Sequence, residues 1–198
     1  MAKGEYCPEA TLENYGLLVH RLDRDTSGVV ILAKDSDTQT MLRKQFQDRK
    51  THKTYYAIVD GIPKLAEAMI DLPISRNLKR PTTFQVDQNG KSSQTYYRVL
   101  AQNDQQSLLE LKPTTGRTHQ LRVHLKYIGT PILGDPVYGE ESNAPRLMLH
   151  AKSLEITIPG ETGNKRMVFE SPLPAEFTQI FPTVKDQDPT PATTSKTT

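Results

Sequence analysis

The chain has 198 residues, 24% of them charged and 35% hydrophobic, which suffices for one packed domain with a tail. No apolar run approaches the roughly 20 residues of a membrane helix, and the N-terminal residues lack the apolar core of a signal peptide. A single cysteine, Cys7, excludes an intramolecular disulfide and a cysteine-based zinc site. The net charge of +2 is too small to indicate a partner. The composition predicts a cytoplasmic protein with no membrane partner.

The first sixty residues predict three strands and a helix. Residues 16–19 and 28–33 have the pattern of short strands, the second apolar enough to be buried on both faces. Asp35 can cap a helix over residues 37–49. Residues 53–59 are β-branched and aromatic and predict a strand that ends at an Asp-Gly pair.

The middle of the chain predicts a loop region, a hairpin and a second helix. Residues 63–90 show little periodicity and predict loops with one or two short strands. Residues 94–100 and 108–111 predict an antiparallel pair around a polar turn. Residues 118–128 predict a helix, because apolar side chains recur at helical spacing until Gly129, a residue that favours helix ends.

The last part of the chain predicts two paired strands and a tail. Residues 154–158 alternate between apolar and polar side chains, and residues 167–169 can pair with them. Strands outnumber helices and do not alternate regularly with them, so we expect an α+β fold with a mainly antiparallel sheet. We expect an irregular segment over residues 1–15, one domain over residues 16–181, and a disordered tail rich in Thr and Pro over residues 182–198.

Basic residues are concentrated in two stretches. Residues 41–53 contain five cations against one acid, which is typical of a solvated face. Residues 112–126 contain four cations, two histidines and no acid. Because the cations of this second stretch alternate with Gly, Thr and Gln, which commonly contact phosphate, it indicates a nucleic-acid contact.

Missing motifs exclude several kinds of chemistry. The sequence has no glycine-rich phosphate loop and no zinc-deaminase pattern. His119 and His124 are five residues apart, which places them about 140° apart around a helix, so they cannot share a metal. We therefore expect no metal, nucleotide or redox cofactor.

The candidate catalytic residues also have simple structural interpretations. Asp23 stands in a polar stretch between two apolar segments, and composition alone favours a turn there. Lys53 and Tyr55 suit an alternating strand. Arg122 lies beside the apolar stripe of its helix, where a long side chain often extends to solvent.

Longer motifs favour the catalytic interpretation of these residues over the structural one. Residues 20–34 contain His-Arg-Leu-Asp-Arg-Asp-Thr-Ser-Gly, an apolar run and Ala-Lys, and they resemble the signature H-R-L-D-x-x-T-S-G of the RluA-type pseudouridine synthases. Residues 53–57 resemble the family's K-x-Y-x-A strand, and residues 111–124 resemble L-K-P-x-T-G-R-x-H-Q-L-R-V-H. Residues 134–139 and 146–151 resemble G-D-x-x-Y-G and R-L-x-L-H-A. The matches occur in the family's order and cover most of the chain.

The resemblance implies a bent, mainly antiparallel mixed sheet with flanking helices and an active cleft across its middle. It implies that Asp23 is the catalytic nucleophile, that Tyr55 packs against the target base, and that Arg122 pairs with the aspartate. Arg21 would enter the RNA where the uridine leaves the stack, and Leu149 would line the pocket. The substrate-binding residues that the resemblance implies are His20, Arg21, Thr26, Lys53, Lys112, Arg117, His119, Gln120 and Leu149.

These residue types suit the family's reaction. Pseudouridine formation breaks the C1′–N1 bond, turns the uracil and joins C1′ to C5, after the uridine has been flipped out of its stack. Glycoside hydrolases use two carboxylates, but uracil is a tolerable leaving anion and no water is activated, so one carboxylate suffices. A close Arg122 would keep a desolvated Asp23 ionised. Attack of Asp23 on C1′ and removal of a ribose proton both stay open.

One family feature is missing upstream of the aspartate. Family members carry an Asn-Lys-Pro-x-Gly strand and turn there, and nothing before Asp23 resembles it. We expect a monomeric enzyme acting on structured RNA, ribosomal or transfer. The alternative is an RNA-binding protein that has lost catalysis through N-terminal truncation. A third interpretation, a glycosidase, requires a second carboxylate, for which Asp25 and Asp135 are candidates.

Overall fold

The computed structural model describes residues 17–142, 144–160 and 162–184. The expectations for residues 1–15 and for the tail beyond residue 184 lie outside the described residues, and the proposed domain limits stay predictions. No helix in the described ranges is long and apolar enough to cross a membrane. The elements, in chain order, are β1 (Ser27–Gly28), α1 (Ser36–Gln47), β2 (His52–Asp60), β3 (Glu67–Asp71), β4 (Ile74–Arg76), β5 (Phe84–Val86), β6 (Gln94–Gln102), β7 (Gln106–Pro113), α2 (Gln120–Tyr127), β8 (Leu149–Ile158), β9 (Lys165–Glu170) and α3 (Ala175–Ile180).

Seven of these strands form one sheet. Its order is β1-β8-β2-β7-β6-β3, with β9 paired to the second half of β8. β1 runs parallel to β8, and the other pairings of this sheet are antiparallel. The predicted α+β class with a mainly antiparallel mixed sheet is therefore confirmed. β4 and β5 form a separate two-stranded sheet.

Strand β2 connects the hydrophobic core to the functional site. Residues 57–59 at its C-terminal half are fully buried between β7 and β8. Its N-terminal half carries Lys53 and Tyr55, and the register with β8 shifts between Thr54 and Tyr55. Such irregularities bend a strand and redirect its side chains, and they occur often beside active sites.

Both longer helices pack an apolar face against the sheet. In α1, Asp35 is the N-cap and its carboxylate accepts from the Thr38 N–H at 2.8 Å, while Leu42 is buried with residues of β8. In α2, Leu121 and Leu125 join the main core. Both predicted helices are confirmed, although α2 begins two residues later than the pattern indicated.

The predicted strand over residues 28–33 is wrong for most of its length. Only β1 pairs with β8, and beyond it Leu32 makes a single bridge. Val30 and Leu32 are 46% and 41% exposed, so the stretch is not buried on both faces. The physical reason is Gly28, whose φ of +117° ends the extended pairing.

The remaining differences are small. Residue 16 of the predicted strand 16–19 lies outside the described residues, and the rest of that strand is reduced to one bridge at Leu18. Residues 63–90 contain three short strands, β3, β4 and β5, where one or two were expected. Helix α3 was not predicted, because six residues are too few to show a helical period. The predicted pairs β6–β7 and β8–β9 are confirmed.

Candidate active site

A cavity of about 460 Å³, here called the cleft, lies between the Asp23 loop, the end of α1, the start of β2 and the loop before α2. Its lining includes all but two of the site residues predicted from the sequence. Arg122 lies behind Asp23 rather than in the lining, and Lys112 is not part of the lining. The predicted residues that line the cleft are His20, Arg21, Asp23, Thr26, Lys53, Tyr55, Arg117, His119, Gln120 and Leu149.

Asp23 is the only Asp or Glu side chain among the described residues that line the cleft. Its backbone carbonyl accepts from the Thr26 N–H at 3.0 Å, which closes a tight turn. Its carboxylate lies 3.5 Å from Nη1 of Arg122. The Asp23 side chain is 23% exposed and that of Arg122 only 5%, so a ligand in the cleft can reach the carboxylate but not the guanidinium.

Arg122 is held in place by Asp135. Its Nε and Nη2 each donate to one Asp135 oxygen at 2.7 Å, and one of these oxygens also accepts from the backbone N–H groups of Val137 and Tyr138. Burial raises the pKa of Asp135, but these hydrogen bonds and the Arg122 charge outweigh burial and leave that pKa below its usual value.

This arrangement bears on the glycosidase interpretation. The Asp135 side chain is fully buried and both of its oxygens are occupied, so it cannot protonate or attack a substrate in the cleft. Asp25 is exposed and is not part of the lining. Neither candidate for a second carboxylate therefore faces the cleft beside Asp23.

The Asp23 loop is attached to β8 by a close backbone approach. A Cβ on Gly28 would lie 2.2 Å from the carbonyl oxygen of Ala151, so only glycine fits between the loop and the strand. Beside it, Arg146 Nη1 donates to Ser27 Oγ at 3.0 Å, and Ser27 Oγ lies 2.8 Å from His150 Nδ1. These contacts hold the Asp23 loop against β8 and thereby position Asp23. Ser27, Arg146 and His150 were not assigned from the sequence, although all three lie in the matched motifs.

Tyr55 projects into the cleft from β2. Burial raises its pKa to about 12, and the Asp23 charge adds to this effect. The phenol therefore stays protonated throughout the physiological range. A neutral aromatic ring beside the carboxylate is suited to packing against a planar base.

Lys53 lies two residues before Tyr55, and burial lowers its pKa to about 8. Its Nζ donates to the backbone carbonyl of Thr115 at 3.1 Å, which ties the start of β2 to the loop before α2. Close to pH 8, the amine in the free protein is a mixture of charged and neutral forms.

His20 has a structural contact that the sequence did not predict. Its Nε2 accepts from the Ile31 N–H at 3.0 Å, and its ring stacks on Phe46 with centroids 4.7 Å apart. Burial lowers its pKa to about 4, and the Lys53 charge adds to this effect. His20 is therefore neutral near pH 7 and already uses Nε2 within the protein.

His119 is the N-cap residue of α2 and has a left-handed backbone, with φ +56°. Its Nδ1 lies 2.8 Å from the Tyr138 hydroxyl, which accepts from the Phe84 N–H. The Tyr138 hydroxyl can therefore donate to Nδ1, which leaves the proton of His119 on Nε2, where it can serve as a donor. Burial is the main cause that lowers the pKa of His119.

Gln120 organises the loop that precedes α2. Its carbonyl oxygen accepts from Thr115 Oγ1 and from the Arg117 N–H, and its amide nitrogen donates to the Gln94 carbonyl and to Thr95 Oγ1. Its side-chain amide is thus occupied within the protein. Gln120 lines the cleft and shapes its wall, and the substrate contact assigned to it from the sequence stays a prediction.

Three other predicted residues differ in their surroundings. Thr26 Oγ1 is buried without a hydrogen-bond partner among the described residues, and it lines the cleft. Arg117 Nε donates to the Ser92 carbonyl at 3.2 Å. Lys112 pairs with Glu110 at 3.0 Å and is not part of the lining. Among the described residues, no three His, Cys, Asp or Glu side chains are grouped to hold a metal ion.

Comparison with known proteins shows the family of the chain. Residues 6–127 match the family model described as RNA pseudouridylate synthase. The chain is 46% identical over 159 residues to ribosomal large subunit pseudouridine synthase D of Borreliella burgdorferi, covering 78% of this chain and 48% of that protein. It is 43% identical over 159 residues to the dual-specificity RNA pseudouridine synthase RluA of Escherichia coli, covering 78% of this chain and 72% of that protein.

A solved structure is also similar. Human RNA Pseudouridylate Synthase Domain Containing 1 matches with a TM-score of 0.70 and 31% identity over 86% of this chain and 82% of that chain. The chain therefore belongs to the RluA-type RNA pseudouridine synthases, a family of RNA-modifying isomerases. It spans about half the length of the Borreliella protein that it matches.

Proposed function

We propose that this chain isomerises a uridine in structured RNA to pseudouridine, with Asp23 as its catalytic nucleophile. The observation that carries the proposal is the environment of Asp23. It is the one carboxylate that lines the described cleft, and the buried Asp135–Arg122 pair stands behind it. An ionised carboxylate with a pre-positioned counterion suits a reaction that needs one nucleophile and no activated water.

The charge of the cleft fits a polyanionic substrate. Four cationic side chains line it against the single acid Asp23: Arg21, Arg49, Lys53 and Arg117. A concave site with an excess of one charge attracts ligands of the opposite charge and raises their association rate. Phosphates of the RNA backbone supply that charge.

The proposal gives Tyr55 and Asp23 separate parts in the reaction. A uridine flipped into the cleft would pack its base on Tyr55, with the ribose over Asp23. The C1′–N1 bond breaks, the uracil turns, and C1′ bonds to C5. The C5 proton is then lost to solvent while N1 gains one, so the product is an isomer of the substrate. Both attack on C1′ and removal of a ribose proton are consistent with the position of Asp23.

The proposal is tested with RNA that carries tritium at C5 of uridine, because bonding of C1′ to C5 releases the label to water. We expect the wild-type chain to release tritium and the Asp23→Asn variant to release none while it still binds the same RNA. Asp25→Asn is the matched control, because Asp25 lies two residues away and does not line the cleft. That control should retain wild-type turnover.

The outcomes separate the alternatives. Turnover by Asp23→Asn would refute the assignment of the nucleophile. RNA binding without tritium release by the wild-type chain would instead favour a binding protein without catalysis. Because the name of the Borreliella relative specifies the ribosomal large subunit, large-subunit ribosomal RNA is the first substrate to test, and transfer RNA is the second. We also propose that the protein acts as a monomer in the cytoplasm.

A further inference from the structure

Arg49 lies immediately after α1 in a left-handed conformation, with φ +56°. The Arg49 N–H donates to the Phe46 carbonyl at 3.2 Å, and the Lys50 N–H donates to the Gln45 carbonyl at 2.9 Å. With Asp48 as C-cap, these two bonds form a Schellman motif, and Arg49 occupies its C′ position. Helices that end in this way usually have glycine at C′, because a side chain is strained there.

The strain coincides with the cleft. Among the described residues, only Arg49 and His119 combine a side chain with a positive φ, and both line the cleft. Strained backbone positions cluster at functional sites, where the side chain has a use that offsets the cost. For His119, the ring contacts with Tyr138 and Phe84 supply one reason.

The Arg49 side chain shows no such internal contact. It is exposed and makes no hydrogen bond or ion pair with any described residue. The neighbouring cations do have an ionic partner, because Nζ of Lys44 and Nζ of Lys50 lie 3.8 and 3.7 Å from Oδ2 of Asp48. Arg49 is therefore an exposed cation in the cleft lining whose guanidinium is available to an external ligand.

We infer that Arg49 binds a backbone phosphate of the RNA at the rim of the cleft, next to the flipped uridine. This inference rests on the proposed function and names a contact that the motif comparison did not assign. A guanidinium matches a phosphate with two parallel hydrogen bonds and stays charged at all relevant pH values. Lys53 and Arg117 already donate to backbone carbonyls, whereas Arg49 has its donors available.

The test uses the opposite effects that Arg49 is expected to have on the stability of the helix end and on RNA affinity. In Arg49→Gly the helix end receives its favoured residue, so we expect the thermal unfolding midpoint to stay unchanged or rise. At the same time, RNA affinity should fall about tenfold near 0.1 M salt, and the slope of log affinity against log salt should decrease by about one. KM for tritium release should rise by a similar factor, with kcat little changed.

Two further variants complete the design. Arg49→Lys keeps the charge but cannot donate two parallel hydrogen bonds to a phosphate, so it should recover the salt slope but only part of the affinity. Lys50→Ala removes an adjacent cation that does not line the cleft and should change neither slope nor KM.

Unchanged RNA affinity and salt slope in Arg49→Gly would overturn the inference. A lowered unfolding midpoint in that variant would also overturn it, because the side chain would then serve the fold. Either result leaves the proposed function untouched as long as the wild-type chain releases tritium. A wild-type chain that binds RNA without releasing tritium would refute the proposed function, while the salt slopes would still decide the role of Arg49.

Discussion

Arg122 donates to both carboxylate oxygens of Asp135 at 2.7 Å and presents its remaining nitrogen, Nη1, to Asp23 at 3.5 Å. The two acids share one guanidinium, but only Asp23 is accessible from the cleft. Asp135 therefore fixes the orientation of the cation that faces Asp23, the proposed nucleophile. Such pre-organisation stabilises charge without rearrangement during the reaction.

Asp135→Asn should impair both stability and turnover. The substitution keeps the shape of the side chain but removes the charge that balances buried Arg122, and removal of one partner from a buried pair typically costs about 3–5 kcal/mol. We expect a loss near the lower end of that range in urea unfolding, because the remaining amide oxygen can still accept from the Val137 and Tyr138 N–H groups. kcat should fall with it. Asp104→Asn, at an exposed position, should change neither quantity, and a stable, active Asp135→Asn variant would contradict the role assigned to this pair.

Arg122→Lys tests whether turnover requires a cation fixed by two hydrogen bonds to Asp135, or only a positive charge at this position. A lysine keeps the charge but cannot donate two parallel hydrogen bonds to Asp135. We expect kcat to fall about 100-fold with little change in KM, since small displacements of catalytic groups have effects of that order. Arg98→Lys makes the same change in an ion pair with Glu110 that does not line the cleft, and it should leave kcat unchanged. Equal kcat values for the wild type and Arg122→Lys would show that charge alone is sufficient.

Local patterns predicted those elements whose side chains repeat regularly. Helix α1 carries Leu42 and Phe46 one turn apart and is capped by Asp35 as expected, while strand β2 was predicted from its β-branched and aromatic residues. The run over residues 28–33 has the apolar composition of a buried strand but departs from the sheet at Gly28. Composition could not show this, because the left-handed φ and the contact with Ala151 arise from tertiary packing.

The site was predictable in its members but not in its connections. Motif resemblance brought Asp23, Tyr55 and Arg122 together, and in the structure Asp23 and Tyr55 line the cleft while Arg122 lies behind Asp23. The link from Asp135 to Arg122 spans 13 residues between a helix and a loop, so no local spacing rule indicates it. The same applies to Gln120, whose amide is occupied by partners on β6 and in the preceding loop.

Gly28→Ala should be strongly destabilising. An alanine would have to adopt the positive φ of this position, which costs about 1–2 kcal/mol. Its Cβ would also lie 2.2 Å from the Ala151 backbone, which adds about 1–3 kcal/mol for overpacking. We expect a total loss of about 2–5 kcal/mol in chemical unfolding. Gly129→Ala is the matched control, because Gly129 has φ +84° and nothing lies within 4 Å of the point that its Cβ would occupy. That control should lose about 1–2 kcal/mol, and equal losses in the two variants would exclude the contact with β8 as the cause.

Lys53 should make stability depend on pH in a defined window. Its pKa is about 8 in the folded protein against 10.5 as the ordinary value. Between these values the unfolded chain binds more protons than the folded chain, so the free energy of unfolding rises with pH in that window. Below about pH 8 the folded protein carries the full cost of the buried charge.

Lys53→Met isolates this contribution, because the difference between the variant and the wild type cancels all other titrations. We expect Lys53→Met to be more stable than wild type at pH 7, by at most about 3 kcal/mol for a shift of this size, with the advantage shrinking between pH 8 and pH 10.5. RNA affinity should show the opposite order, since the charged amine faces the cleft: the wild type should bind more tightly at pH 7 and lose that advantage above pH 8. Lys64→Met, which removes an exposed ammonium, should show neither trend. A stability difference that stays constant from pH 7 to pH 10.5 would mean that Lys53 titrates in the fold as it does in the unfolded chain.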